Sequence, residues 1–121
     1  MDNSSGALGE QYTARYLETH GFEIVRRNFH SRFGEIDLIA QDFRYLAFVE
    51  VKTRAKKAPV GPLEAVTASK QRKIIRTAML YLQANPTGLQ PRFDVAAVTT
   101  EAGVPVAIRY LGNAFSCEGF F

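Results

Sequence analysis

Asp37 and the triplet Glu50-Val51-Lys52 are the residues of this 121-residue chain whose types and spacing could do chemistry together. Side chains alternate along a strand, so Glu50 and Lys52 share one face and Val51 points the other way. Phe48 lies on the Glu50 face, which is therefore not simply solvent-facing. Glu35 and Asp37 share a face of the preceding strand by the same alternation. If the two strands form a hairpin, loop length decides which acids meet. A four-residue loop, with Ala47 opposite Ala40, sets Asp37 directly across from Glu50, at about 4.5–5.5 Å between Cα atoms. A two-residue loop around Asp42-Phe43 sets Glu35 opposite Glu50 and leaves Asp37 diagonal. Either way carboxylates meet across the strands. Like charges placed so destabilise a sheet. A hard divalent cation compensates them, since Mg²⁺ favours one or two carboxylates plus waters and phosphate oxygens. Lys52 on the same face suits stabilisation of a negative phosphoryl transition state or orientation of attacking water. The set fits metal-assisted phosphodiester hydrolysis. An exposed hairpin with ordinary Lys–Glu pairs has the same residue types, and D…ExK alone does not separate the two.

Charge is distributed unevenly around these residues. From Val51 to Arg76 there are eight basic residues and one acid, Glu64, a net +7 that leaves −4 for the rest of a chain of net +3. Such asymmetry is a footprint of polyanion binding, although a solvated basic helix face has the same composition. Arg54, Lys56 and Lys57 follow the candidate catalytic strand and are placed to contact a nucleic-acid backbone. Lys70, Arg72 and Lys73 open the next helix, and Lys70 could reach a phosphate or the site itself.

The elements that must position these residues follow from periodicity. A first helix is expected over about Gly6 to His20, stopped by Gly21. A short strand Phe22–Val25 follows, then Gly34–Ala40, which alternates acid and apolar residues, then Tyr45–Thr53. Gly61-Pro62 suits a short helical turn. A longer helix from about Ser69 to Gln83 carries Ile74, Ile75, Ala78, Met79 and Leu82 as one apolar stripe, ended by Asn85-Pro86. Phe93–Thr99 reads as a strand buried on both faces. Val104–Leu111 reads as a last strand, whose Pro105 argues for a sheet edge. The N-terminal tail, Ala55–Gly61 and Asn85–Gly88 are the candidate flexible segments. The order α-β-β-β-α-β-β implies an α/β fold with a mixed central sheet flanked by helices.

Composition bounds the class. The length suits one domain, and 46% hydrophobic with 22% charged residues is ordinary globular chemistry. No apolar run approaches the length of a membrane span, and Met1–Ser5 lacks the basic and apolar regions of a secretory signal. One cysteine, Cys117, makes no internal disulfide, and two histidines make no zinc framework. His20 and His30 have no partner at ligand or triad spacing, and there is no P-loop or nucleophile elbow. A small cytoplasmic domain is the expectation that remains.

The chain resembles the PD-(D/E)xK nuclease superfamily, and more closely the bacterial YraN-type family within it, from about Gly6 to Phe115. The resemblance rests on Gly9-Glu10 with Ala14 and Tyr16-Leu17, on Gly34-Glu35-Ile36-Asp37-Leu38-Ile39-Ala40, and on Phe48-Val49-Glu50-Val51-Lys52-Thr53-Arg54. Lys70, Ala78, Tyr81-Leu82, Arg92–Val95 and Asn113-Ala114-Phe115 add to it. It implies a restriction-endonuclease-like αβββαβ core, with residues 116–121 as a short extension. It also implies that Asp37 and Glu50 bind Mg²⁺ or Mn²⁺ while Lys52 assists catalysis. Resolvase-like branches add a glutamate from the first helix, and Glu10 matches it. Glu10 also lies on the Ala7–Ala14–Leu17 stripe, where a lone acid is unexpected, although an acid near a helix N-terminus is favoured by the dipole. The proline of the superfamily name is Ile36 here.

Three functions are compatible with these residues. The first is a metal-dependent nuclease acting on DNA, branched or structured DNA among its substrates. The second is a nucleic-acid-binding module without turnover. The third is a protein-interaction domain whose acids form structural ion pairs. Intact Asp37, Glu50 and Lys52 favour the first. Symmetric cleavage of two strands would favour a two-fold dimer.

Overall fold

The computed structural model describes residues 5–56 and 66–118. Within them the chain runs α1 (Ser5–Thr19), β1 (Glu23–Ser31), β2 (Gly34–Gln41), β3 (Tyr45–Ala55), α2 (Ala68–Ala84), β4 (Gln90–Glu101) and β5 (Val104–Phe115). The five strands form one sheet in sequence order. β1, β2 and β3 are antiparallel neighbours, β3 and β4 are parallel, and β5 returns antiparallel to β4. The fold is thus α/β with a mixed sheet, consistent with a restriction-endonuclease-like αβ core. The parallel pair requires a crossover, and α2 lies in it. No helix among the described residues is long and apolar enough to cross a membrane.

Alternation along β3 sorts the core into two layers. Leu46 and Phe48 pack with Ile74, Ile75, Ala78 and Tyr81 of α2, and with Phe93 and Val95. Ala47 and Val49 pack with Ala14 and Leu17 of α1, and with Leu38, Ala40 and Ala96. The two helices therefore cover opposite faces. Four alanines of the α1 layer, Ala14, Ala40, Ala47 and Ala96, let that helix lie close to the sheet. At Gly9 the approach is tightest: a Cβ there would stand 2.3 Å from Thr53 Oγ1.

Local chemistry ends the elements. Gly21 is left-handed at φ +88°, Phe22 N–H donates to Leu17 O and Gly21 N–H to Glu18 O, a double cap that stops α1. Thr67 Oγ1 accepts Lys70 N–H at the start of α2, and Asn85 donates its backbone N–H and its side-chain amide to Tyr81 O at the end.

Several expectations need correction. β1 extends to Ser31, well past Val25. Met79 is exposed, and Tyr81 takes its place in the core. β4 and β5 are longer at their ends than the apolar runs indicate. β5 lies at the sheet edge, as Pro105 implies. The turn at Gly61-Pro62 and most of the Ala55–Gly61 segment lie outside the described residues, as does Lys57.

Candidate functional site

The β2–β3 hairpin settles which acids meet. Its turn is closed by Asp42, whose Oδ1 accepts the N–H groups of Arg44 and Tyr45 at 2.8 and 2.7 Å. Ala40 then pairs with Ala47 and Leu38 with Val49, a register that, carried one residue further, would set Asp37 across from Glu50. The ladder stops at that point, because Asp37 Oδ2 accepts the Val51 N–H at 2.8 Å. Alternation in β2 is interrupted there as well: Ile36 packs in the α2 layer and Leu38 in the α1 layer. On the neighbouring strand Asn28 is left-handed at φ 52°, and its side chain hydrogen-bonds Glu10. Close packing of α1 on β3 thus brings Glu10 toward the same acids.

The electrostatics show four carboxylates in one field. Burial pushes the Asp37 carboxyl up from its ordinary 3.8 to about 7, and the Glu50 charge adds to the rise. The Val51 N–H opposes it, and Glu10 and Glu35 contribute further increments. Glu10 is also raised, by burial and then by Glu35. Glu50 is only 5% exposed, and its Oε1 receives two ammonium groups, Lys52 at 3.3 Å and Lys70 at 3.2 Å. Burial pulls the Lys70 ammonium down, but the Glu50 charge and hydrogen bond, with Asp37 and Glu35, more than offset it. Lys70, a residue with two expected destinations, reaches the site.

The donors are all carboxylate oxygens, hard ligands suited to Mg²⁺ or Mn²⁺, and their mutual repulsion is what a cation relieves. Two facing carboxylates completed by water and phosphate oxygens is a common Mg²⁺ arrangement. Among the described residues no group of three or more His, Cys, Asp or Glu is set to hold an ion, so Glu10 stands near the pair without completing a cage. Asp37 and Glu50 fit the ion in that limited form.

The basic residues divide. Arg54 is exposed at the end of β3, Lys56 pairs with Glu101 at 2.8 Å, and Arg72 and Lys73 lie exposed on α2. His30, partnerless by sequence spacing, faces Glu35 across β1–β2 at 3.3 Å. Sequence spacing does not disclose the pair, because His30 lies beyond the Phe22–Val25 run that reads as strand. Sequence reasoning also missed Asp94, which is fully buried. Arg92 meets it with two nitrogens, Tyr110 donates its hydroxyl and Asn113 its N–H. Burial and then the Asp94 charge hold the Tyr110 phenol far above its ordinary value. This network lies on the α1 side of the sheet, where Tyr110 stacks on Tyr16, and it joins β4 to β5. Satisfied on all sides, it is structural.

Facing carboxylates on adjacent strands of a mixed α/β sheet, with lysines at the same end, define the architectural class. The chain belongs to the uncharacterised protein family UPF0102, whose profile matches residues 9–98. It is 46% identical over 116 residues to a UPF0102 protein of Symbiobacterium thermophilum, covering 95% of this chain and 98% of that relative. A UPF0102 protein of Rhodococcus jostii is 46% identical over 111 residues, covering 91% and 94%. One of Syntrophotalea carbinolica is 42% identical over 118 residues, covering 97% and 95%. The YraN-type resemblance carried by the Gly34–Ala40 and Phe48–Arg54 blocks is therefore correct, and the wider nuclease superfamily is consistent with it.

Proposed function

We propose that this chain is a metal-dependent nuclease that hydrolyses phosphodiester bonds in DNA. The observation that carries the reading is the approach of Asp37 to Glu50 where the β2–β3 ladder ends, which burial and the Glu50 charge make unfavourable for an ionised Asp37 and which a cation would relieve. When bound, Mg²⁺ or Mn²⁺ supplies charge neutralisation at the phosphate and acidifies water. Asp37 and Glu50 hold the ion, with Glu10 near enough to bias it electrostatically. The Val51 N–H fixes the Asp37 carboxylate in one orientation. Lys52, already beside Glu50, stabilises the charge that develops on the phosphoryl oxygens. Lys70 reaches the same carboxylate from α2 and keeps the buried Glu50 charge paired until substrate arrives.

A second reading, a nucleic-acid-binding module without turnover, draws on the same ion pairs. Lys52 and Lys70 already compensate Glu50, and a charge so compensated needs no metal. Incubation with linear, flap and branched DNA substrates in Mg²⁺ or Mn²⁺ separates the two, with Asp37→Ala as control. Cleavage by the wild type that is lost in the variant supports the nuclease. Equal trace activity in both is contamination and leaves the binding module.

A further inference from the structure

A second charged feature sits between the β1–β2 turn and the start of α2. Arg32, Phe33, Ser69, Arg72, Lys73 and Arg76 line an open groove of ≈350 Å³. Four of the six are cations and none is an acid. Phe33 organises part of this charge: the Arg32 guanidinium lies 4.9 Å from its ring centroid and that of Arg76 5.6 Å. The turn is fastened to the helix. Ser31 Oγ accepts Phe33 N–H at 3.1 Å and lies 2.9 Å from Thr77 Oγ1. Gly34 lies over α2 at ordinary packing distance: a Cβ there would stand 3.5 Å from Lys73 Cβ. The cations are thus presented by braced elements.

The groove and the carboxylate site share both elements. Gly34 lies three residues before Asp37 on β2, and Ser69 precedes Lys70, whose ammonium is 3.2 Å from Glu50. We infer that the Arg32–Phe33 turn with Arg72, Lys73 and Arg76 of α2 cradles the phosphate backbone of a nucleic-acid strand beside the carboxylate site. That the same strand is the one cleaved rests on the nuclease reading; the binding does not. Guanidinium forks match phosphate oxygens, and the Ser69 hydroxyl adds a donor. The Phe33 ring is engaged by two arginines, so backbone rather than base is read, and contact is independent of sequence. An open groove does not enclose a small free anion, whereas a polymer gains by releasing counterions along its length.

The test is fluorescence anisotropy of labelled duplex and branched DNA with the full chain in EDTA, where no cleavage intervenes. Both arginines are exposed, so Arg32→Ala/Arg76→Ala should keep the wild-type Tm. It should bind about tenfold more weakly, with the slope of log affinity against log salt reduced by about 0.9 for each duplex phosphate left without its arginine. Arg32→Lys/Arg76→Lys should retain most of the affinity. Unchanged affinity and slope in the alanine variant would overturn the cradle. So would displacement of DNA by inorganic phosphate at constant ionic strength, or the absence of wild-type binding, including preference for an acidic peptide. Cleavage that needs Asp37 but not the arginines keeps the nuclease and removes the cradle. Arginine-dependent binding without any Asp37-dependent cleavage does the reverse.

Discussion

Asp37→Asn changes charge while keeping shape, and the outcome should have opposite signs with and without metal. In the native chain the Asp37 carboxyl titrates at about 7 against an ordinary 3.8, raised by burial first and by Glu50 second. Between those values the unfolded chain ionises while the native chain holds its proton. Stability is therefore intact below the ordinary value and is lost as pH rises toward 7. A rise of this size corresponds to about 4 kcal/mol at pH 8. Asparagine cannot ionise, and its carbonyl can still accept the Val51 N–H. Metal-free Asp37→Asn should then be more stable than wild type at pH 8 by up to about 4 kcal/mol, roughly 15 °C in Tm at this chain length. The gap should close toward pH 4. With Mg²⁺ at about a hundred times its Kd, the wild type gains about 2.7 kcal/mol and the variant gains little. Calorimetric scans at pH 5 and pH 8, in EDTA and in Mg²⁺, read all four states. If the variant is the less stable protein at pH 8 in EDTA, or if the difference ignores pH, the carboxylate-repulsion reasoning is refuted.

Other perturbations address neighbouring parts. Lys52→Ala should lower the single-turnover cleavage rate by about 10²-fold or more, while Mn²⁺ affinity measured by titration calorimetry changes little. Glu10→Gln tests whether this acid is a third ligand: a ligand weakens Mn²⁺ binding, whereas an acid that is only buried beside Glu35 and Glu50 leaves Mn²⁺ affinity unchanged, and in EDTA the variant should be slightly more stable at pH 8 than the wild type. Gly9→Ala should destabilise by about 1–3 kcal/mol in urea melts, because the new methyl meets Thr53 Oγ1. Thr53 Oγ1 has no hydrogen-bond partner among the described residues, so adding Thr53→Ala should restore most of that loss.

What could be read from the residues was what depends on near neighbours. The alternation of Gly34–Ala40 and the apolar stripe of α2 follow local periods, so β2, β3 and α2 could be located. Asp37, Glu50 and Lys52 fall on one hairpin, so their meeting could be anticipated, although its register stayed open between two loops. The Asp42 turn decides it, through side-chain contacts that loop length does not disclose. The apolar-alternating run Phe22–Val25 accounts for only the start of β1, because Arg26, Arg27 and Asn28 carry no alternation. They belong to an edge strand with an irregularity between Ile24 and Arg26 and a left-handed Asn28. Lys70 reaches Glu50 only through the crossover, and Asp94 finds Tyr110 and Asn113 on another strand. Long-range partners of this kind leave no periodic trace.

The open borders of the sheet have a bearing on how the protein behaves when concentrated. Among the described residues β1 and β5 form the borders of the sheet, each with a row of backbone groups that no further strand pairs. On β5 the apolar side chains Val104 and Val106 are exposed, a combination that invites strands of separate molecules to stack. Pro105 stands between them without an N–H, next to the irregularity at Thr99/Thr100. On β1 the obstacle is ionic: Arg26 and Arg27 follow the bulge on a largely exposed strand. One border resists self-association by a missing donor and the other by repulsion, so added salt should weaken the protection at β1 and leave that at β5 intact.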